Sequence, residues 1–266
     1  MNSAPAIATN CADVGLYEAA SCIHQRILQT PVRTKPFPHL VVDELLPDAV
    51  RRAIDTYWPE RRRMGHTNNM LRGEASVSRI AAMSSGDEHA FWSALLSLAT
   101  AVNRAVRQRL AKYSAIKFYM MAGPGWRRML QTPGYEQDDA MLAHYTGVVD
   151  LPVHIDHARL VMNAFVYLED RDSPAPEPLK GTMLYRSLGF AWPTNAEIPR
   201  PLRERFLRED VEIGWRDNRL LAYVNGPTSF HGVPRHDLGN GRRRLLMCGS
   251  VLDRETTARI FDETLR

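Results

Sequence analysis

Apolar residues recur at helical spacing in three stretches of the first half of the chain. Over residues 14–29, Leu16, Ala19, Ala20, Ile23, Ile27 and Leu28 fall on one face of a predicted helix. Pro47 opens a second, running to about Trp58, in keeping with proline's fitness for a first turn. The longest pattern runs from Gly86 to Tyr113, where Phe91, Leu95, Leu98, Val102 and Val106 repeat every three to four residues. Core packing under a sheet is its expected role. Phe37 to Asp43 (FPHLVVD) reads as a short strand.

From about Ile116 the texture changes to short apolar runs broken by Gly, Pro and Asp. Strands are predicted at 116–122, 140–145, 160–168, 182–186, 219–225, 228–233 and 243–252. Many short strands with turn signals between them point to a sandwich or barrel rather than a parallel sheet. The expected fold class is therefore mainly β with flanking helices (α+β), built on a double-stranded β-helix, or jelly roll. The expected organisation is a helical support region over 1–115, a jelly-roll core over 116–254 and a C-terminal helix over 255–266. Residues 170–180 and 187–208 are Pro- and charge-rich and read as loops able to cover a site.

Composition narrows the class only slightly. The 266 residues are 44% hydrophobic and 24% charged, ordinary for a globular protein. No run approaches the roughly 18 apolar residues of a membrane helix, and the first residues do not read as a signal peptide. Three scattered cysteines, Cys11, Cys22 and Cys248, do not make a disulfide framework. Cytoplasm is the expected compartment, without membrane association. The formal charge of +4 comes with only four lysines, so arginine supplies nearly all the positive charge. Arginine suits planar recognition of carboxylates and phosphates, but with a modest charge and arginines along the whole chain, solvated faces are the favoured reading.

The chemistry concentrates in His154-Ile155-Asp156 and in Ser229-Phe230-His231-Gly232-Val233, followed by Arg242-Arg243-Arg244. Two histidines and one carboxylate can occupy one face of an iron(II) ion and leave the opposite positions open. A nearby arginine supplies a fixed cation for the far end of a dicarboxylate. Side chains alternate along a strand, so Arg242 and Arg244 share one face and Arg243 takes the other. The combination points to an oxidative enzyme.

On these residues the chain resembles the iron(II)- and 2-oxoglutarate-dependent dioxygenases, particularly their prolyl-hydroxylase-like branch. The resemblance spans about residues 140–253 and is carried by AHYTGVVDLPVHID, RLVMNAFVYLED, KGTMLYR, NRLLAYVNGPTSFHGVP and GRRRLLMCGSVL. Tyr145 with Gly147, Tyr167-Leu168-Glu169, Gly181-Thr182 and Phe230-His231-Gly232-Val233 match elements typical of the family. Two positions depart from it: Asn163 stands where threonine is frequent, and Arg244-Leu245-Leu246 where Arg-x-Ser is frequent.

The resemblance implies His154, Asp156 and His231 as metal ligands, with iron(II), 2-oxoglutarate and dioxygen as cofactor and co-substrates. It implies Arg244, with Arg242 in reserve, as the clamp on the distal carboxylate of 2-oxoglutarate, helped by the Tyr145 hydroxyl and by Asn163. Asp156 sits where the halogenase branch has a non-ligating residue, which favours hydroxylation of an unactivated C–H bond, with succinate and carbon dioxide as co-products. No general base is required, and none is assigned beyond the metal ligands.

The expected substrate is a small molecule, an amino acid or natural-product intermediate of anionic or amphiphilic character. It would be held by loops around 123–137 and 170–208 that carry Trp126, Arg127, Tyr135, Arg186 and Trp192, with Arg128 and Arg159 as further candidates. Two rivals stand beside this reading. One is the same chemistry on a protein side chain or nucleic acid, the latter disfavoured by the lack of a dense basic-aromatic tract. The other is a non-catalytic jelly roll that keeps a metal or ligand site.

Overall fold

The structure is a computed structural model that describes residues 16–66, 72–126, 135–137, 140–174, 180–192 and 198–258. Helix α1 (Leu16–Gln29) and the 37-residue α4 (Gly86–Ala122) pack on one another, and α2 (Asp48–Tyr57) and α3 (Val77–Ala82) pack on α4. Their apolar stripes bury Ile23, Ile27, Ile54, Ile80, Leu95 and Leu110 completely. Among the described residues no helix is long and apolar enough to cross a membrane.

The helices lie against one face of an antiparallel sheet. Its path runs β1 (His39–Val42), β9 (Arg219–Val224), β6 (Leu160–Glu169), β10 (His231–Met247), β5 (Met141–His154), β3 (Arg72–Ser76) and β2 (Gly65–His66). Two long strands carry the fold from this layer into a second one. The C-terminal half of β10 pairs with β6, whereas its first residues pair with β7 (Thr182–Ser187), itself paired with β8 (Leu207–Ile213). Throughout, β10 runs beside β5, with register shifts between His231 and Arg242 where the ladder bends. The short β4 (Tyr135–Gln137) and β11 (Ser250–Leu252) close one edge beside β6. The result is a curled, two-layered β fold of the jelly-roll kind, braced by helices on one side.

Both faces of the larger layer are covered. Leu142, Ala164, Val166, Leu220, Ala222 and Leu246 join the helical core, while Ala143, Tyr167, Leu221, Tyr223 and Leu245 face inward between the layers. A third cluster gathers Val153, Ile155, Leu207 and Phe230 around Phe190 and Trp192 on the segment ahead of α5 (Arg200–Phe206).

Three expectations need correction. Residues 116–122 are not a strand: α4 continues through them until Gly123, whose φ of 67° ends it. IKFYMMA is a short β-prone run, a texture that helices share. Second, 187–208 is not loop throughout: it holds helix α5 and the start of strand β8. Among the described residues β8 is an edge strand that pairs only with β7, so its outward positions are polar and its period is masked. Third, the region before residue 116 adds, besides the expected strand at 37–43 (β1), two further strands, β2 and β3, to the same sheet. The expected C-terminal helix begins as a helical turn at 254–258, and 259–266 lie outside the described residues.

Candidate metal centre

His154 and His231, far apart in sequence, are cross-strand partners at the end of the β5–β10 ladder. The two strands approach closely there. A Cβ added to Gly232 would stand 2.7 Å from the Leu151 carbonyl oxygen, so only glycine lets His231 sit against β5. The ring centroids of the two histidines are 4.3 Å apart. Asp156 follows β5 and turns its carboxylate between them, Oδ1 lying 3.4 Å from His154 Nε2 and Oδ2 3.2 Å from His231 Nε2.

The imidazoles are oriented by backbone. His154 Nδ1 donates to the Pro152 carbonyl at 2.8 Å, and His231 Nδ1 to the Ser229 carbonyl at 2.9 Å. A carbonyl can only accept, so both Nδ1 protons are committed and both Nε2 atoms are left for Asp156 or a cation. One candidate ligand atom from each residue lies within 4.8 Å of the other two. Ligands at right angles around an ion at about 2.1 Å stand about 3 Å apart, so the triad fits a divalent ion with little movement. The donor set, two neutral nitrogens and one anionic oxygen, fits iron(II).

Asp156 is held from behind. Asn163 Nδ2 donates to its Oδ2 at 2.6 Å, and the Tyr223 hydroxyl reaches the same oxygen at 3.4 Å. Asn163 and Tyr223 are cross-strand partners on β6 and β9. Buried Asn225 fixes the turn: its side chain accepts from the Asp156 backbone N–H and donates to the carbonyls of Asp156, His157 and Leu160. Its own carbonyl accepts from buried Lys117 of α4 at 2.8 Å. Burial and the neighbouring opposite charge act on these groups together. Burial raises the Asp156 carboxyl, but the two imidazoles outweigh it and hold Asp156 well below the usual carboxylate range. Burial lowers His231, and Asp156 outweighs it in the other direction. Burial brings Lys117 down to about 8.

The triad opens onto a cavity of about 300 Å³ between the two layers. Apolar side chains, among them Val149, Leu151, Phe165 and Met247, line much of it, and Tyr145, Tyr167, Thr182, Arg72 and Arg243 supply polar groups. Arg243 is 3% exposed. Its guanidinium lies 4.8 Å over the Trp215 ring, donates to the Lys180 carbonyl, and meets His236 Nε2 at 2.8 Å. Cross-strand from it is Tyr145, with the Arg72 guanidinium 5.3 Å over its ring. The Tyr167 hydroxyl bonds Thr182 Oγ1 at 2.6 Å.

Of the expected site residues, His154, Asp156, His231, Asn163 and Tyr145 come together at this cavity. Asn163 meets Asp156 directly. Arg244 and Arg242 do not reach the cavity; they lie on the opposite, helix-side face of β10. Arg244 pairs there with Asp55 at 3.0 Å and Asp170 at 3.1 Å, and Arg242 faces Asp170 at 3.6 Å. The alternation within the triplet is as expected, with the faces exchanged. Tyr167, Thr182, Tyr223, Asn225 and Arg243 were not singled out as site residues from sequence. The parity of the triplet already separated Arg243 from its neighbours, and Tyr167 and Thr182 stood in matched family elements; Tyr223 and Asn225 carried no comparable signal.

Four of the expected substrate contacts lie away from this cavity. Trp126 stacks on Phe118, Arg186 pairs with Asp210 at 3.4 Å, Arg159 donates to the Leu252 carbonyl, and Trp192 packs beside Phe190. Arg127 and Arg128 lie outside the described residues, and Tyr135 is described only as part of β4.

No family model matches the chain, and no curated protein matches it in sequence. Solved structures similar to it in backbone course include an oxidoreductase of the 2OG-Fe(II) oxygenase family from Burkholderia pseudomallei, 8% identical, with 91% of this chain and 92% of that one covered at a TM-score of 0.45. A prolyl hydroxylase from Trichoplax adhaerens, in complex with a hypoxia inducible factor peptide fragment, is 11% identical over 91% of this chain and 94% of its own (TM-score 0.46). HygX from Streptomyces hygroscopicus, with nickel and 2-oxoglutarate bound, is 13% identical over 81% and 83% (TM-score 0.45).

Proposed function

We propose that this protein is an iron(II)- and 2-oxoglutarate-dependent dioxygenase that hydroxylates a small molecule. The observation that carries the reading is the convergence of His154, Asp156 and His231 at one end of a cavity whose wall also holds the buried cation Arg243. Iron(II) held by the three residues would supply oxygen activation coupled to oxidative decarboxylation of 2-oxoglutarate.

The remaining tasks belong to the chain. Arg243, stacked on Trp215, offers a fixed cation for the distal carboxylate of 2-oxoglutarate. Tyr145, its cross-strand partner, and the Tyr167–Thr182 hydroxyl pair supply donors to the same end. Asn163, Tyr223 and Asn225 hold Asp156 in the ligating direction. The apolar wall excludes water and leaves limited room beside the co-substrate, which supports a small substrate over a folded macromolecule.

The test follows succinate formation from 2-oxoglutarate while amino acids and small organic acids are offered in turn. The expected result is substrate-dependent succinate and a product that has gained one oxygen atom. Turnover only with a protein or oligonucleotide would remove the small-molecule part of the proposal. Tight 2-oxoglutarate binding without turnover on any of these substrates would favour a non-catalytic binding role.

A further inference from the structure

On the other face of the β5–β10 ladder, back to back with Tyr145 and Arg243, lies a second cavity of about 440 Å³. Trp58, just after α2, lines it with Arg61, His144, Arg242 and Arg244. His144 and Arg244 are cross-strand partners, each 6% exposed. The Arg244 guanidinium sits 4.9 Å over the Trp58 ring, and the His144 ring meets that indole edge-on at 6.4 Å. Three side chains in mutual contact therefore share one wall.

Each of the three carries a buried polar nitrogen without a hydrogen-bond partner among the described residues: Trp58 Nε1, His144 Nε2 and Arg244 Nε. Native interiors rarely leave such atoms unsatisfied, and these three belong to side chains that line one cavity. The indole and guanidinium nitrogens can only donate, and neutral imidazole donates from Nε2 in one of its tautomers. Burial, and next the Arg244 charge, bring His144 down to about 4, so the ring is neutral at neutral pH.

The carboxylates nearby, with Asp172 also acting on Arg244, are matched by arginines. Asp55, Asp170 and Asp217 are ion-paired with four arginines, Arg51, Arg171, Arg242 and Arg244, so the carboxylates behind the cavity are already compensated. Exposed Arg61 adds a further cation at the wall, and Glu60 is engaged by Arg62.

We propose that this cavity is a second ligand site, separate from the metal centre, that binds an oxyanion (a carboxylate or phosphate group) beside Trp58, His144 and Arg244, with Arg242 and Arg61 at its rim. The site gives the two outer arginines of the triplet a binding role independent of the metal reading. It also shares its two strands with the inner cavity.

The test is a titration of the full chain with inorganic phosphate and, separately, with acetate at constant ionic strength. It follows the indole N–H resonance of Trp58 by nuclear magnetic resonance, assigned by its loss in Trp58→Phe. A saturable shift with either probe is expected, and the better probe identifies the anion class. Arg242→Gln, at a half-exposed position, should weaken that binding about tenfold, the scale of one charge-assisted contact. Arg61→Gln provides a second variant should Arg242→Gln fail to fold. A shift that never saturates, or equal affinity in the folded variant, would overturn the proposal and leave the three nitrogens to ordered water or an adventitious ion only.

Discussion

The two faces of the β5–β10 ladder carry nearly the same residue types and do different things with them. The inner face presents Tyr145, Arg243, His154 and His231 to a cavity in which the imidazoles keep Nε2 for a cation. The outer face presents His144, Arg242 and Arg244 to a wall where carboxylates already hold the arginines. Residue type alone does not decide the chemistry. It is decided by which neighbours each side chain meets. A histidine beside Asp156 is placed as a candidate metal ligand; one beside a compensated arginine stays a neutral hydrogen-bonding group.

That contrast can be broken at several points. The largest effect is expected from Asp156→Ala or His231→Ala, which should abolish iron(II) binding measured by calorimetry while the fold persists. Retained affinity in either would remove the metal centre. On the outer face, Arg244→Ala leaves Asp170, 1% exposed, with only the more distant Arg242. Removing one partner of a buried ion pair costs up to about 3–5 kcal/mol, so this variant should unfold at markedly lower urea concentration with little change in iron affinity.

A smaller effect is expected at Asn225, which organises the Asp156 turn without belonging to the candidate ligand set. Asn225→Ala should weaken iron(II) binding by about 10–100-fold, the usual range for groups that orient ligands. An unchanged affinity would mean that Asn163 and Tyr223 suffice. The smallest effect concerns pH. His144 has a folded value of about 4 against the ordinary 6.5, so the unfolded chain takes up a proton that the native state resists. Its contribution to stability is complete above 6.5 and is lost as pH falls from 6.5 towards 4. His144→Gln should flatten denaturation midpoints across that window; an unaltered slope would place the titration elsewhere.

Much of this was legible in the sequence where a pattern meets one solvent-facing side. The amphipathic helices α1, α2 and α4 show their stripes directly, and His154, Asp156 and His231 stood in segments whose spacing survives as strand pairing. The triplet was harder for a physical reason. β10 is covered by helices on one face and by the inner layer on the other, so Leu245, Leu246 and Met247 are apolar without alternation. Parity along such a strand separates Arg243 from its neighbours but does not say which side is inward. Tyr223 and Asn225 were unreadable because their function depends on β9 lying beside β6, a pairing far from local in the chain. The α4 extension through 116–122 was lost to the helix–strand ambiguity of short apolar runs.

The most direct test of the two-face account is an anaerobic titration of the iron(II)-loaded protein with 2-oxoglutarate, read by the weak visible charge-transfer band that such a complex develops. The wild type should give a saturable band. Arg243→Gln should raise the concentration needed by about 10–100-fold, the scale of a lost charge-assisted pair, with iron(II) affinity nearly unchanged. Arg242→Gln should leave the 2-oxoglutarate requirement within about twofold, a shift below half a kcal/mol. The opposite ranking, with Arg242→Gln losing the co-substrate and Arg243→Gln keeping it, would contradict the account.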